Sequence, residues 1–176
     1  MSIVLSSCAA SLPYSLDYPM TNETFTSRDD SFTGQVPSGW FPSIVDTLPS
    51  PVKVWLLKED FSASFSIEEL NLDQLSRQRV DREGGKLLSQ FSQAFRLQNT
   101  PSEKLFTRQK EFKIQGKEFY GYEISRPSER LRVVVFSYRQ KYYECIVTTV
   151  SGTSSDEEFK RLCTAQQTVL STLVFK

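Results

Sequence analysis

The sequence predicts a single α+β domain in which an antiparallel β-sheet is flanked by two main helices. Several short segments alternate apolar and polar residues at the period of a strand, and two longer segments repeat apolar residues at the spacing of a helical face. With 176 residues, 39% of them hydrophobic and 12% aromatic, the chain can build one hydrophobic core of ordinary size. We place this domain at residues 23–176.

Four strands are predicted before the first helix. Residues 23–27 and 31–36 alternate in polarity, and the second run stops at Pro37-Ser38-Gly39-Trp40. After a proline-rich loop, residues 52–57 are rich in β-forming residues. The fourth strand alternates apolar residues with serines, which is typical of a half-buried strand. The apolar residues are Phe61, Ala63, Phe65 and Ile67.

A helical region follows at residues 71–98 and is divided at Gly84-Gly85, because two adjacent glycines cost about 2 kcal/mol of helix propensity. Asn71 or Asp73 is the predicted N-cap of the first part. In the second part the spacing predicts a buried face and an outer face. The buried face comprises Leu87, Leu88, Phe91, Ala94 and Phe95, and the outer face comprises Ser89, Gln90, Gln93 and Arg96.

The rest of the chain predicts a meander of strands and a C-terminal helix. The strands are residues 105–114, 119–124, 131–138 and 142–150. Ser154 or Ser155 then precedes three acidic residues, which is typical of a helix start. The apolar stripe between Phe159 and Leu173 predicts a helix that packs across the sheet.

Composition argues against several classes of function. The 21 Lys and Arg balance 21 Asp and Glu, so we expect no nucleic-acid partner. The absence of histidine removes the commonest general base and the commonest transition-metal ligand. The sequence contains no phosphate-binding glycine loop, nucleophile elbow or Cys-x-x-Cys pair. We therefore expect no enzyme activity, no metal and no cofactor.

The N-terminal Leu5-Ser6-Ser7-Cys8 resembles the lipobox of bacterial lipoproteins, whose cysteine receives the lipid. We interpret residues 1–22 as a lipobox remnant and flexible tether, with Cys8 as the lipidation site. Only seven uncharged residues precede Cys8, which indicates a trimmed or misassigned start. Ala9 follows Cys8, and the resemblance then implies the outer membrane, facing the periplasm. The alternative is a disordered cytosolic N-terminus with an incidental cysteine.

The order of predicted elements around Val36-Pro37-Ser38-Gly39-Trp40 resembles the PsbP-like fold. That fold is shared by extrinsic photosystem II proteins, a Ran-binding import factor and bacterial DcrB-type lipoproteins. The resemblance implies that Trp40 anchors its loop in the core and that Gly39 permits the turn. It does not imply a role in oxygen evolution, because this chain has no histidine and a shared fold does not give a shared function.

Two groups of residues are candidates for further roles. Cys145 and Cys163 are both predicted to face the core, where they form either a helix-to-sheet disulfide or two buried free thiols. Tyrosines and arginines on neighbouring meander strands are of the types enriched at interfaces, although cross-strand packing is the alternative. This candidate partner surface comprises Tyr120, Tyr122, Tyr138, Tyr142, Arg130 and Arg132. A second candidate patch, for which core packing is the alternative, comprises Trp40, Phe41 and Trp55.

Together these observations predict a non-catalytic bacterial envelope lipoprotein. Its domain is expected to be an accessory or scaffolding module that binds an envelope protein which the sequence does not identify. The alternative is a carrier of a small ligand or lipid with a pocket between helix and sheet. A carrier should have a sizeable apolar cavity beneath the C-terminal helix, whereas a scaffold should have a filled core and an exposed aromatic patch.

Overall fold

The computed structural model describes residues 15–44, 51–99, 104–126, 129–150 and 155–176, so the predicted lipidation site, Cys8, lies outside the described residues. No helix in these ranges is long and apolar enough to cross a membrane. The strands are β1 (Met20–Thr26), β2 (Phe32–Pro37), β3 (Trp40–Pro42), β4 (Val52–Lys58), β5 (Ala63–Glu69), β6 (Lys104–Ile114), β7 (Lys117–Ser125), β8 (Arg130–Tyr138), β9 (Lys141–Thr149) and β10 (Val174–Phe175). The helices are α1 (Gln74–Glu83), α2 (Gly85–Asn99) and α3 (Asp156–Thr172).

A seven-stranded sheet forms the centre of the molecule, with the strand order β3-β4-β5-β9-β8-β7-β6. Every neighbouring pair in it is antiparallel. The strands β1, β2 and β10 form a separate three-stranded sheet. The predicted α+β class, an antiparallel sheet flanked by helices, is therefore confirmed, and so is the predicted meander of β6 to β9.

Helix α3 and the small sheet cover one side of the central sheet, which we call the first face. Val134 and Val147 of the sheet and Val169 of α3 are buried together in this core. Trp40 is buried there as well, and its indole nitrogen donates a hydrogen bond to the Tyr18 hydroxyl at 3.2 Å. Gly39, beside it, has a φ of 80°. The roles that the family resemblance implies for these two residues are thus present in the structure.

Helices α1 and α2 cover part of the opposite side, which we call the second face. Val80 of α1 and Leu88 of α2 pack against Tyr122, Val133 and Tyr142 of the sheet. The β4 and β5 side chains of this face are only half-buried. The second face therefore has a covered half over β7, β8 and β9, and an open half over β4 and β5.

The folded unit begins before the predicted boundary at residue 23. Residues 15–22 were assigned to the tether, but β1 begins at Met20, and Tyr18 and Met20 pack against the first-face core. The Ser38 amide also donates to the Pro19 carbonyl at 2.9 Å. The short strands β3 and β10 were not predicted either, because two or three residues are too few to show a period.

Helix α2 presents a face to the sheet that matches the predicted one only in part. Leu87 and Leu88 are buried as predicted, but Phe95, predicted to be buried, is 65% exposed. Ser89, predicted to point outward, is buried, and so is Ser92, for which no face was predicted. The helix turns its polar side inward because Ser92 and Arg96 bind a carboxylate on the sheet, as described below. The predicted division at Gly84 and the Asp73 cap of α1 are both confirmed.

Candidate functional site

The six Tyr and Arg residues predicted as one partner surface are divided between the two faces of the sheet. Alternation along each strand sends Tyr120, Tyr122 and Tyr142 to the second face. The others, Tyr138, Arg130 and Arg132, point to the first face, where Tyr138 stacks on Phe175 with ring centroids 4.1 Å apart. The prediction of a single exposed surface is therefore wrong.

The three second-face tyrosines are buried beneath α1 and α2. The Tyr142 hydroxyl donates to Asp81 of α1 at 2.6 Å, and the Tyr122 hydroxyl forms a hydrogen bond with Ser92 of α2. Burial, reinforced by Asp81, raises the pKa of Tyr142 to about 12, so this hydroxyl keeps its proton at neutral pH. These tyrosines attach the helices to the sheet.

The two arginines of the predicted surface join α3 to the sheet. Arg132 is 1% exposed and donates to Oε1 of Gln166 at 3.3 Å. Arg130 forms ion pairs with Glu123 at 2.8 Å and with Asp156 at 2.6 Å, which links β7, β8 and the first turn of α3. Both guanidinium groups therefore form hydrogen bonds or ion pairs with residues of the domain itself.

Cys145 and Cys163 are both free thiols, so the predicted disulfide does not form. The stated alternative of two buried thiols holds for Cys145, whereas Cys163 is half-buried. The side chains of Gln166 and Arg132 lie between the two cysteine backbones and hydrogen-bond to them. Gln166 donates to the Cys145 carbonyl at 2.8 Å, and Arg132 donates to the Cys163 carbonyl at 3.4 Å. Burial raises the pKa of both thiols, that of Cys163 to about 11, which leaves them protonated and unreactive.

An aromatic patch lies on the open half of the second face. We use this name for Phe41, Trp55, Leu57 and Phe61. Strand pairing places Phe41 opposite Leu57, and the rings of Phe41 and Phe61 meet edge to face with centroids 5.9 Å apart. Phe41 and Trp55 were predicted as part of a patch with Trp40, but Trp40 points to the opposite side, into the core.

Phe61 is the most exposed member of the aromatic patch, at 64%. It was predicted to face the core from β5, but it lies in the turn before that strand with a φ of 57°. This left-handed conformation costs a bulky residue about 1–2 kcal/mol, and the ring is buried only in part, by its contact with Phe41. A largely exposed ring on a strained turn makes Phe61 a candidate for contact with another molecule.

A cleft of about 660 Å³ lies between α2, the segment at residues 70–73 and the sheet, and we call it the α2 cleft. Leu70, Leu72 and Phe91 supply apolar surface to its walls, and the exposed Phe95 stands at its rim. Polar residues line the cleft as well, among them Asn71 and Gln98. This volume is within the range of about 300–1,000 Å³ that is usual for ligand sites. A shallower depression of about 350 Å³, lined by Trp55, shares Glu68 and Arg96 with the cleft and makes it continuous with the aromatic patch.

The floor of the α2 cleft contains a buried ion pair. The Glu144 side chain of β9 is 3% exposed, and one of its oxygens accepts a hydrogen bond from Ser92 at 2.5 Å. The other oxygen accepts from Nε of Arg96 at 3.0 Å and from a second nitrogen of the same guanidinium. Burial lowers the pKa of Arg96, but Glu144 raises it overall above its ordinary value, so the guanidinium keeps its charge.

Glu68 places a second carboxylate beside this pair. It lies directly opposite Glu144 on the neighbouring strand, and its Oε2 is 4.0 Å from the Arg96 guanidinium. Ser66 donates to its other oxygen at 3.1 Å. Burial raises the pKa of Glu68, Arg96 acts in the opposite direction, and Glu144 adds to the rise. Two carboxylates therefore share one arginine, which we call the ion trio of Glu68, Arg96 and Glu144.

Comparisons with known proteins give structural matches only. No protein-family model and no curated protein matches the sequence. The cyanobacterial PsbP (CyanoP) of Synechocystis sp. PCC 6803 is 12% identical, with 90% of this chain and 94% of that chain covered and a TM-score of 0.59. The Saccharomyces cerevisiae Ran-binding protein Mog1p is 11% identical, with 89% and 96% covered and a TM-score of 0.55.

The chain has the PsbP-like fold. Both matches extend over nearly the full length of each chain, which confirms the resemblance that the order of elements predicted. At this level of identity the likeness shows the fold alone, and the function must be argued from the site.

The core of this PsbP-like domain is filled where Trp40, Phe65 and Val169 meet between α3 and the sheet, because the gap that they line is too small to hold a water molecule. A depression of about 270 Å³ lies further along, where Leu170 at the end of α3 approaches Phe119 and Phe136 of the sheet. Within the described residues, no group of three or more His, Cys, Asp and Glu is placed to hold a metal ion. At this position the domain therefore has the filled core expected of a scaffold, and the aromatic patch is the exposed surface expected with it.

Sequence reasoning missed Phe61 and Phe95 as surface residues, and it missed the ion trio. One signal for the trio was present, because Glu144 is a lone carboxylate within a run of apolar strand residues, and such a group needs a buried partner. The sequence indicated part of the aromatic patch, since Phe41 and Trp55 were candidates together with Trp40. It did not indicate Leu57 and Phe61, whose positions beside Phe41 depend on the pairing of β3 with β4 and on the turn before β5.

Proposed function

We propose that this protein is a non-catalytic accessory module of the bacterial cell envelope, anchored to a membrane through lipidated Cys8, which binds a partner protein with its aromatic patch. The observation that carries the proposal is the patch itself. The open half of an antiparallel sheet normally presents polar side chains to water, as Ser64 and Ser66 of β5 do here. Beside them the half-buried Phe41, Trp55 and Leu57 and the exposed Phe61 form a continuous apolar surface. Tryptophan and phenylalanine are among the residues enriched at the centre of protein interfaces.

The position of the N-terminus supports this arrangement. Tyr18 packs against the first-face core, on the opposite side of the sheet from the aromatic patch. Residues 9–14 separate Cys8 from the first described residue, and with Ser15 included they span at most about 25 Å. A lipid on Cys8 would therefore hold the first face near the membrane and leave the aromatic patch accessible from the periplasm.

A small-ligand carrier is the second candidate, and the volume of the α2 cleft is the observation that favours it. The charged floor of the cleft makes a lipid tail unfavourable there, because Glu144 and Arg96 would lose polar surroundings without gaining partners. A ligand of this cleft would have to be small and polar, with a positive group for Glu68.

The lipid anchor is tested by intact-protein mass spectrometry of the full-length product purified from the membranes of its source cells. We expect cleavage before Cys8 and the added mass of acyl chains, and we expect both to be absent from a Cys8→Ser variant. An unmodified chain that starts at Met1 would overturn the anchor.

The binding role is tested by quantitative mass spectrometry of proteins that co-purify with the full-length chain after mild detergent extraction. Phe61→Asn removes the exposed ring, and asparagine tolerates the positive φ, so the domain should stay folded. Val174→Asn is the matched control, because Val174 and Phe61 are both 64% exposed. We expect one envelope protein to be depleted at least ten-fold by Phe61→Asn and retained by Val174→Asn. Equal recovery with both variants would overturn the role of the aromatic patch.

A further inference from the structure

We propose that the partner inserts a lysine or arginine side chain beside Glu68, so that the segment it presents to this surface is both basic and apolar. This inference rests on the proposed function, because it names the chemistry of the partner that the same surface binds. It is carried by the charges of the described residues that line the α2 cleft and the adjoining depression.

Most of the carboxylates in this lining are already matched. Glu144 is paired with Arg96, and Glu69 is paired with Lys53 at 2.9 Å. Asp73 caps α1 by accepting from the Ser76 amide at 2.9 Å. In the depression, Glu129 is paired with Arg126 at 2.8 Å.

Glu68 differs from the other lining carboxylates in the part of the chain that the structure describes. Its nearest cation, Arg96, is 4.0 Å away and is bound to Glu144 through two nitrogens. The two carboxylates and one guanidinium of the ion trio therefore sum to one net negative charge. That excess charge lies in a partly desolvated site, where an added cation gains more than it would at an exposed surface.

The position of Glu68 allows a cation to reach it. Its side chain is 29% exposed and lines both the α2 cleft and the depression. Apolar surface flanks it on both sides, with Trp55 in the depression and Phe91 in the cleft. A lysine or arginine suits this setting, because its aliphatic stem packs on apolar surface while its charged end forms a short hydrogen bond with a carboxylate.

A metal ion fits the same site poorly. Calcium takes about six to eight oxygen ligands, and both oxygens of Glu144 already accept hydrogen bonds. A single accessible carboxylate with a neighbouring guanidinium is instead suited to one monovalent cationic group from a protein segment.

The test uses peptides selected from a randomised phage-displayed library on the full-length Cys8→Ser protein. Parallel selections use the Phe61→Asn, Glu68→Gln and Glu68→Lys variants, with Glu157→Gln on exposed α3 as the matched control. We expect peptides that bind the parent protein to carry Lys or Arg next to apolar residues. These peptides should bind Glu68→Gln about ten-fold or more weakly, since a hydrogen bond to a charged group is lost. Glu68→Lys should select acidic residues instead.

Each outcome separates this inference from the proposed function. Binding that Phe61→Asn abolishes but Glu68→Gln leaves unchanged would overturn the inference about the basic residue and retain the aromatic patch. Binding that is insensitive to Phe61→Asn would overturn both. Circular dichroism melting of every variant confirms folding, and analytical ultracentrifugation shows whether a second copy of the chain occupies the surface, which would also overturn the inference.

Discussion

Replacement of Arg96 by methionine removes the charge partner of a buried carboxylate. Glu144, with 3% of its side chain exposed, would keep only its hydrogen bond from Ser92. Breaking a buried ion pair in this way costs about 3–5 kcal/mol of unfolding free energy. With a urea m-value of about 2 kcal/mol/M, the unfolding midpoint at pH 7 should fall by about 1.5–2.5 M. Tryptophan fluorescence and circular dichroism would follow the transition.

A double-mutant cycle separates the charge from the packing of the side chain. Arg96→Met combined with Glu144→Gln removes both charges, so the double variant should recover about 2–3 kcal/mol relative to the sum of the single variants. Arg82→Met is the control, because its pair with Glu83 on α1 is exposed and should contribute less than about 0.5 kcal/mol. A cost below about 1 kcal/mol for Arg96→Met, or additive single variants, would refute the claim that this pair orients α2.

Three further predictions concern the ion trio, the thiols and the small sheet. Burial raises the pKa of Glu68 above 4.5, so its stabilising contribution is present at low pH and lost as pH rises through the folded-state pKa. Glu68→Gln should therefore be at least as stable as the parent at pH 7, with an advantage that shrinks below about pH 4; lower stability at pH 7 in urea titrations would count against this. In the Cys8→Ser protein, Ellman's reagent should leave Cys145 and Cys163 unmodified for minutes at neutral pH, because their raised pKa keeps both thiols protonated. In urea the reagent should titrate both thiols. If neither thiol reacts in the unfolded chain, the two cysteines form a disulfide. Gly34→Ala should cost about 1–3 kcal/mol in thermal melts, because the added Cβ would lie 2.5 Å from the Phe25 ring, and an unchanged melting temperature would show that this ring is free to move.

Local patterns in the sequence were sufficient to predict most of the elements. The meander and α3 were predictable because their alternation, turn residues and capping box act over a few neighbouring residues. The PsbP-like order of elements followed from them. Phe61 was placed wrongly because a turn with a positive φ interrupts the alternation, and apolar spacing alone cannot show such a turn.

Features that depend on pairing between distant segments could not be predicted in the same way. The rotation of α2 follows from Glu144, which is 52 residues from Ser92 in sequence and attracts polar residues to the helix face that meets the sheet. The prediction of a Tyr and Arg surface was wrong because exposure depends on which face of the sheet a strand residue points to and on whether a helix covers that face. The aromatic patch arises for the same reason from strands that the sequence separates by a proline-rich loop.

The most direct test of the account is photo-crosslinking in the source cells. A photoreactive phenylalanine analogue at Phe61 keeps a ring in the aromatic patch, and the same analogue at Val174 places it at an equally exposed site on β10. We expect irradiation to join the Phe61 position to one envelope protein and to give no such adduct from the Val174 position. The same adducts from both positions, or none from Phe61, would contradict the claim that this domain binds a partner protein through the aromatic patch.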